Sequence, residues 1–171
     1  VENSSNIAGL AQNSFVNGEI DKAMVKFERV FAEYPNTFAA TQSLIYLLND
    51  AINKEDYTAI DNLISKQKDG INNIDDPVIR ANINKIKGDM AMYKNNIEEA
   101  LSYYSKATKI TMEPATKIKF QLDIISTHLL EENYSQALSI LNKILENKNL
   151  GNDENNKAEE MLSFVNYMLG T

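Results

Sequence analysis

The 171-residue sequence predicts an all-α protein, a solenoid of about four helical hairpins followed by one capping helix. Three observations carry this. Glycine and proline number only 6 and 3, too few for the many tight turns of an all-β chain. A small or apolar anchor recurs at Ala23, Ile60, Ala100 and Ala137, in steps of 37, 40 and 37 residues. Each anchor is followed by an apolar residue four positions on, the spacing of a helix face. Regular steps of this size mean stacked supersecondary units.

The four anchored segments share one grammar: a polar or acidic turn, an apolar residue, two spacers, the anchor, and another apolar residue four later. The first runs from Glu19 and Ile20 to Ala23 and Phe27, and its stripe continues through Val30 and Phe31. The second has Asp56, Tyr57, Ile60 and Ile64. The third has Asn96, Ile97, Ala100, Tyr104 and Ala107, and the fourth Asn133, Tyr134, Ala137, Leu141, Ile144 and Leu145. A second helical stretch precedes each anchor, clearest over Ala81 to Lys94 with Ile83, Ile86, Met90 and Tyr93. Two antiparallel helices joined by a short polar turn, repeated, make a helical-hairpin solenoid. Between the second and third hairpins, Asp69 to Pro77 reads as a loop around Gly70 that ends in a helix start, acid at the cap and Pro77 in the first turn. The hairpins are placed at residues 4–36, 37–70, 76–112 and 114–148, within one domain spanning 1–171. Beyond them Ala158, Met161, Leu162, Val165, Met168 and Leu169 form the stripe of a capping helix over about 154–169. Gly170 falls where the turn of a fifth unit would come.

These residues resemble the tetratricopeptide repeat (TPR), whose signature is Leu-Gly-x-x-Tyr in the first helix, then Ala-x-x-x-Phe, then an exit Pro. The first hairpin offers Leu10, Ala11 and Ser14, then Ala23, Phe27 and Pro35. The third offers Lys87, Gly88 and Ala91 with Ala100 and Tyr104, and the fourth Ile124, Ile125 and His128 with Ala137 and Leu141. The second, with Leu47, Leu48, Ala51, Ile60 and Ile64, stands furthest from the pattern. Small residues occupy the slots where the two helices touch, because only Gly or Ala lets the backbones approach closely. The resemblance spans essentially the whole chain and implies a right-handed superhelical solenoid. An early Trp is lacking, and the steps exceed the usual ~34 residues; longer first helices and the loop before Pro77 are expected to hold the surplus. Such long steps look more like bacterial envelope-associated members than eukaryotic co-chaperones. Lysine outnumbers arginine by 15 to 2 amid abundant Asn and Ile, a bias that points to a bacterial source with AT-rich codons. The chain opens at Val1 in a polar stretch, read either as a trimmed start or as an ectodomain whose signal or anchor lies upstream. The expected location is accordingly the extracytoplasmic side of a membrane-anchored bacterial protein, or else the cytoplasm.

Several function classes are excluded by composition. A net charge of −7 and a pI near 4.8 oppose nucleic acid and anionic membrane surfaces, which need a basic stripe. The longest apolar run, Leu44 to Leu48, is far short of the ~20 residues of a membrane span, so this segment is not expected to insert directly. Without cysteine there is no thiol nucleophile, and one histidine cannot make a zinc site. His128 sits where the family packs an aromatic, so it is read as a packing residue. The acid pairs at 75–76, 98–99, 131–132 and 159–160 are adjacent in sequence and do not share a helix face. Gly18, Gly70 and Gly88 are isolated, not a phosphate loop, and Gly88 is explained by helix packing. Met90, Met161 and Met168 are read as core filler, Met92 as lying off that stripe. No catalytic residue, metal or cofactor is expected.

What remains is binding to a protein or peptide. The resemblance implies that the first helices line a concave groove that takes a peptide segment or partner helix. That face maps to Ser5, Ala8 and Gln12, then Gln42, Ile45, Asn49 and Asn53. The third hairpin gives Asn82, Lys85, Asp89 and Tyr93, and the fourth Lys119, Leu122, Ser126 and Leu130. The candidate contact residues are Gln12, Asn49, Asn82, Lys85, Asp89, Tyr93, Lys119 and Ser126, centred on the third hairpin. Family members that clamp a C-terminal carboxylate present Lys, Asn and Arg. Their slots hold Ala8, Gln12, Tyr46, Asn82 and Ile86 here, so that class is not expected. The alternative reading is a self-assembly or complex-assembly module using the convex face or capping helix, and the oligomeric state is left open.

Overall fold

The computed structural model describes residues 3–66, 74–147 and 150–170. These hold nine α-helices and no strand. They divide into two compact units, residues 1–75 and 76–171. The first holds α1 (Ser4–Val16), α2 (Ile20–Glu33), α3 (Phe38–Asn53) and α4 (Tyr57–Lys66). The second holds α5 (Pro77–Tyr93), α6 (Ile97–Ile110), α7 (Pro114–Leu130), α8 (Tyr134–Leu145) and α9 (Asn152–Leu169). The expected loop at 69–77 falls partly on residues 67–73, outside the described residues, as does the end of the second expected hairpin.

Four hairpins are closed by one turn geometry. The residue two beyond each first helix has positive φ: Gly18 at 78°, Glu55 at 53°, Asn95 at 56° and Glu132 at 57°. Around each, two backbone bonds tie off the helix end. At Gly18 the N–H donates to Phe15 O at 3.0 Å and the Glu19 N–H to Ser14 O at 2.9 Å. At Asn95 and Asn96 the same pair reaches Met92 O at 2.9 Å and Ala91 O at 2.8 Å. This is the Schellman motif, which satisfies carbonyls the helix end would orphan. The next residue then starts the second helix. Asp56 Oδ1 accepts from the Ala59 N–H at 2.9 Å, and Asn96 Nδ2 donates to Glu99 at 2.8 Å. The polar turn seen in the sequence is therefore a stop and a start in four residues.

The four anchors are all buried, with Ile60 the most exposed at 3%. In the first unit Ile7, Ala8, Val30 and Ala39 join α1, α2 and α3, and Tyr46 stacks on Phe27 with ring centroids 4.3 Å apart and an interplanar angle of 8°. Ala8 is thus core, not groove lining. In the second unit Ile118, Leu122 and Ile125 of α7, Ala137, Leu141 and Ile144 of α8, and Ala158 and Val165 of α9 form one cluster. α5 begins at Pro77, four residues before Ala81, because the Asp76 carboxylate accepts the N–H groups of Val78 and Ile79 at 2.8 and 3.3 Å. Met90 is buried and Met161 half-buried, but Met168 is 44% exposed. The expectation of core filler fails there, since nothing in the described residues covers α9 past Val165.

Candidate protein-binding surface

α5 presents the centre of the candidate surface. Its apolar side, with Ala81, Ile83, Gly88, Met90 and Ala91, is buried. That orientation turns Asn82, Lys85, Asp89 and Tyr93 outward; Asn82 and Tyr93 are exposed, Lys85 and Asp89 half-buried. Gly88 allows the close approach of α6, because a Cβ there would stand 2.6 Å from Tyr104 Cδ1. Tyr104 in turn donates its hydroxyl to Asp89 Oδ1 at 2.9 Å, while Lys85 Nζ donates to Asp89 Oδ2 at 2.7 Å. Burial, and then the Asp89 carboxylate, hold the Tyr104 phenol well above its ordinary range, so it stays a donor. The Lys85–Asp89 pair spans one helical turn and both side chains are more than a third exposed, so it contributes only a few tenths of a kcal/mol, roughly 0.2–0.5. Its worth is geometric: the chain Lys85–Asp89–Tyr104 fixes surface charges to a buried ring.

Beside it lies a cavity of about 360 Å³ lined by Lys85, Lys119, Leu122, Asp123, Asp153, Glu154 and Lys157. α5, α7 and α9 each contribute. Lys119 and Glu154 approach to 4.0 Å across it. Of the residues expected from the sequence, Lys85, Lys119 and Leu122 come together here, and Asp89 joins only through its bond to Lys85. Leu122 is only 3% exposed and forms the floor. Ser126 lies on the same helix, but its hydroxyl donates to Leu122 O at 2.9 Å and is left as an acceptor. Gln12 belongs to the first unit, where its Nε2 lies 3.5 Å from Gln42 Oε1, and Asn49 is exposed on α3.

Sequence reading missed Asp123, Lys157 and Glu154. Lys157 stands 38 residues after Lys119, one unit length, so carrying the stripe into α9 finds it. Asp123 has no such signal. Burial raises its carboxyl above the ordinary Asp range, with Asp89 adding to the rise and Lys85 and Lys157 opposing it. A carboxyl that holds its proton more tightly folded than unfolded opposes folding once ionised. The cost is full above its folded pKa and absent below the ordinary Asp range. Asp123→Asn is therefore expected to raise the melting temperature slightly at neutral pH, with the gain fading as the pH falls to about 3. Thermal melts of parent and variant across that range check it; a gain that grows towards acid contradicts the assignment.

His128 is half-buried on α7 with Nδ1 unpartnered among the described residues, and burial pushes its imidazole below the ordinary histidine range, towards the neutral form. Among the described residues no three His, Asp or Glu side chains gather as a metal site, and no helix is long and apolar enough to cross a membrane.

No protein-family model matches the chain, and no curated protein matches it. Solved structures do. A Podosopora anserina kinesin light chain-like protein with nearly identical TPR-like repeats is 14% identical, with a TM-score of 0.69 over 99% of this chain and 90% of that one. A variant of that protein gives a TM-score of 0.70 at 14% identity, over 99% and 89%. The likeness shows the fold, a TPR-like helical-repeat solenoid. These neighbours lend no support to the bacterial, envelope-associated leaning.

Proposed function

We propose that this protein is a non-catalytic scaffold that seats a segment of a partner protein on the face formed by the first helices of the hairpins in its second unit. The observation that carries the reading is the α5 stripe of Asn82, Lys85, Asp89 and Tyr93, of which Lys85 also lines the cavity between α5, α7 and α9. Side chains there are held before any partner arrives, Lys85 and Asp89 through Tyr104, so little ordering cost remains to be met on binding. An aromatic with polar neighbours is the composition binding hot spots favour. Lys119 and Ser126 on α7 belong to this face of the second unit; Gln12 and Asn49 supply amides on the first helices of the other unit.

The cavity lining carries three lysines against three carboxylates, a balance that suits an amphipathic segment over a strongly charged tail. The carboxylate-clamp slots agree: Ala8 is buried and Tyr46 is stacked on Phe27.

The test is the set Asn82→Ala, Lys85→Glu and Tyr93→Ala, each first checked for an unchanged melt, then used to capture partners from the source cells. Loss of at least one captured partner in two of the three variants is expected. If all three recover what the parent recovers, the groove reading fails and the convex face or α9 takes its place.

A further inference from the structure

Asn17 is followed by Gly18, the one Asn-Gly pair in the sequence. It falls at the stop of α1, and both residues are exposed. The same places in the other three turns hold Lys54 and Glu55, Lys94 and Asn95, and Glu131 and Glu132. An asparagine side chain loses ammonia when the backbone nitrogen of the next residue attacks its Cγ. Glycine is the neighbour that favours this most, since no Cβ crowds the nitrogen or narrows its backbone freedom. The first turn alone therefore carries a reactive pair. In the closed hairpin two features hold that pair apart. ψ of Asn17 is 2°, so Gly18 N eclipses the Asn17 backbone nitrogen and not its Cβ. Closing a ring through Cβ and Cγ needs Gly18 N alongside Cβ. The Gly18 N–H also donates to Phe15 O at 3.0 Å, which keeps on the nitrogen the proton it must shed to attack. Turning Gly18 N towards Cβ must break this bond and the neighbouring one, from the Glu19 N–H to Ser14 O at 2.9 Å.

We infer that Asn17 is a site of spontaneous deamidation that the closed α1–α2 hairpin keeps silent, and that modification there stops the hairpin from closing as before. When the hairpin opens, Gly18 N bonds to Asn17 Cγ and the Cγ–Nδ2 bond breaks. The side-chain nitrogen leaves as ammonia, taking the proton of the Gly18 amide. Water, the only co-reactant, then opens the cyclic imide at one of its two carbonyls. Attack at Cγ gives aspartate. Attack at the main-chain carbonyl of residue 17 gives isoaspartate, whose backbone runs through Cβ and is longer by one carbon. The longer backbone carries the Gly18 and Glu19 N–H groups off the positions that Phe15 O and Ser14 O require. The aspartate instead places a negative charge at the C-terminal end of α1, where the helix dipole disfavours it. Either product leaves the hairpin easier to open than before, so the change records an opening and favours the next.

The test ages the full chain in neutral buffer, with and without guanidinium, and follows each asparagine by peptide-mapping mass spectrometry. Enzymatic methyl labelling counts isoaspartate, and Asn17→Gln supplies the blank. In guanidinium Asn17 should deamidate ahead of every other asparagine. In the folded chain it should react at least about tenfold more slowly, because reaction awaits opening. Val30 of α2 is fully buried against Ile7 and Ala8 of α1, and Val165 is fully buried in α9 of the other unit. Val30→Ala should loosen the first hairpin and speed the reaction several-fold, and Val165→Ala should leave it unchanged. Melts establish that both variants are folded. Deamidated protein, separated by charge, should melt below the fresh chain. Equal rates with and without guanidinium overturn the protection, and an Asn17 slower than other asparagines in guanidinium overturns the site. An effect of Val165→Ala as large as that of Val30→Ala overturns the hairpin as the gate. Deamidated protein that melts with the fresh chain overturns the block to closing.

Discussion

Ending the chain at Gly151, which removes α9, is expected to lower the melting temperature by roughly 10–20 °C or to cause aggregation. Ala158 and Val165 of α9 are fully buried against Leu141, Ile144, Ile118 and Leu122, with Met161 and Leu162 packed alongside. Their loss re-exposes part of those side chains and of Ile140 and Leu145. Full burial of one such residue stabilises by about 1.5–3 kcal/mol. Partial loss over several amounts to roughly 5 kcal/mol, a large share of the ~5–15 kcal/mol of a whole fold. At a few degrees per kcal/mol for a chain of this size, the shift follows. A shorter truncation after Val165 removes exposed Tyr167, Met168 and Leu169 and should change the melt by only a few degrees. Calorimetry on both separates a cap from a tail; an unchanged melt without α9 makes it an arm free to bind elsewhere.

The second large effect is expected at Gly88. Alanine in a helix interior is normally worth about 1 kcal/mol over glycine, and at Gly9, where a new Cβ meets nothing within 4 Å, Gly9→Ala should yield that gain. Gly88→Ala should reverse the sign. The added carbon meets the Tyr104 ring, which is 4% exposed and tethered through its hydroxyl to Asp89, so the ring has no space to yield. Overpacking of this kind costs about 1–3 kcal/mol, and here the hydrogen bond to Asp89 is strained with it. Gly88→Ala combined with Tyr104→Leu should recover part of the loss. Denaturant midpoints of the four chains give the comparison. A stabilised Gly88→Ala would mean that α5 and α6 do not meet as closely as described.

The hairpins were legible because burial and helical period are the same constraint. Ala23, Ile60, Ala100 and Ala137 must face a neighbouring helix, and only a small or well-fitted apolar side chain permits it. Even the poorly matching second hairpin forms, since Ile60 fills its slot as well as alanine does. The turn residues were less legible. Glu55, Asn95 and Glu132 adopt a conformation usually left to glycine, held there by paired backbone bonds that no side-chain pattern announces. Met168 was misread because a stripe shows which side is apolar but not whether anything covers it. The proposed face was half legible. Asn82, Lys85, Asp89 and Tyr93 follow from the helix period, whereas Asp123 gains meaning only when lysines from α5 and α9 gather around it.

The recurring turns also bear on how quickly the chain folds. Each closes two helices that are consecutive in sequence, so a hairpin can form with a loop closure of only a few residues. Contacts within each unit likewise join helices next to each other in the chain or one removed. Chains dominated by such local contacts fold in roughly microseconds to milliseconds, because little entropy is lost before contacts begin to reward it. Glu55 and Glu132 then matter kinetically: a left-handed residue that is not glycine must be caught by its two backbone bonds as the hairpin closes. Replacing the turn residue therefore acts on the rate of folding as well as on the stability of the folded protein.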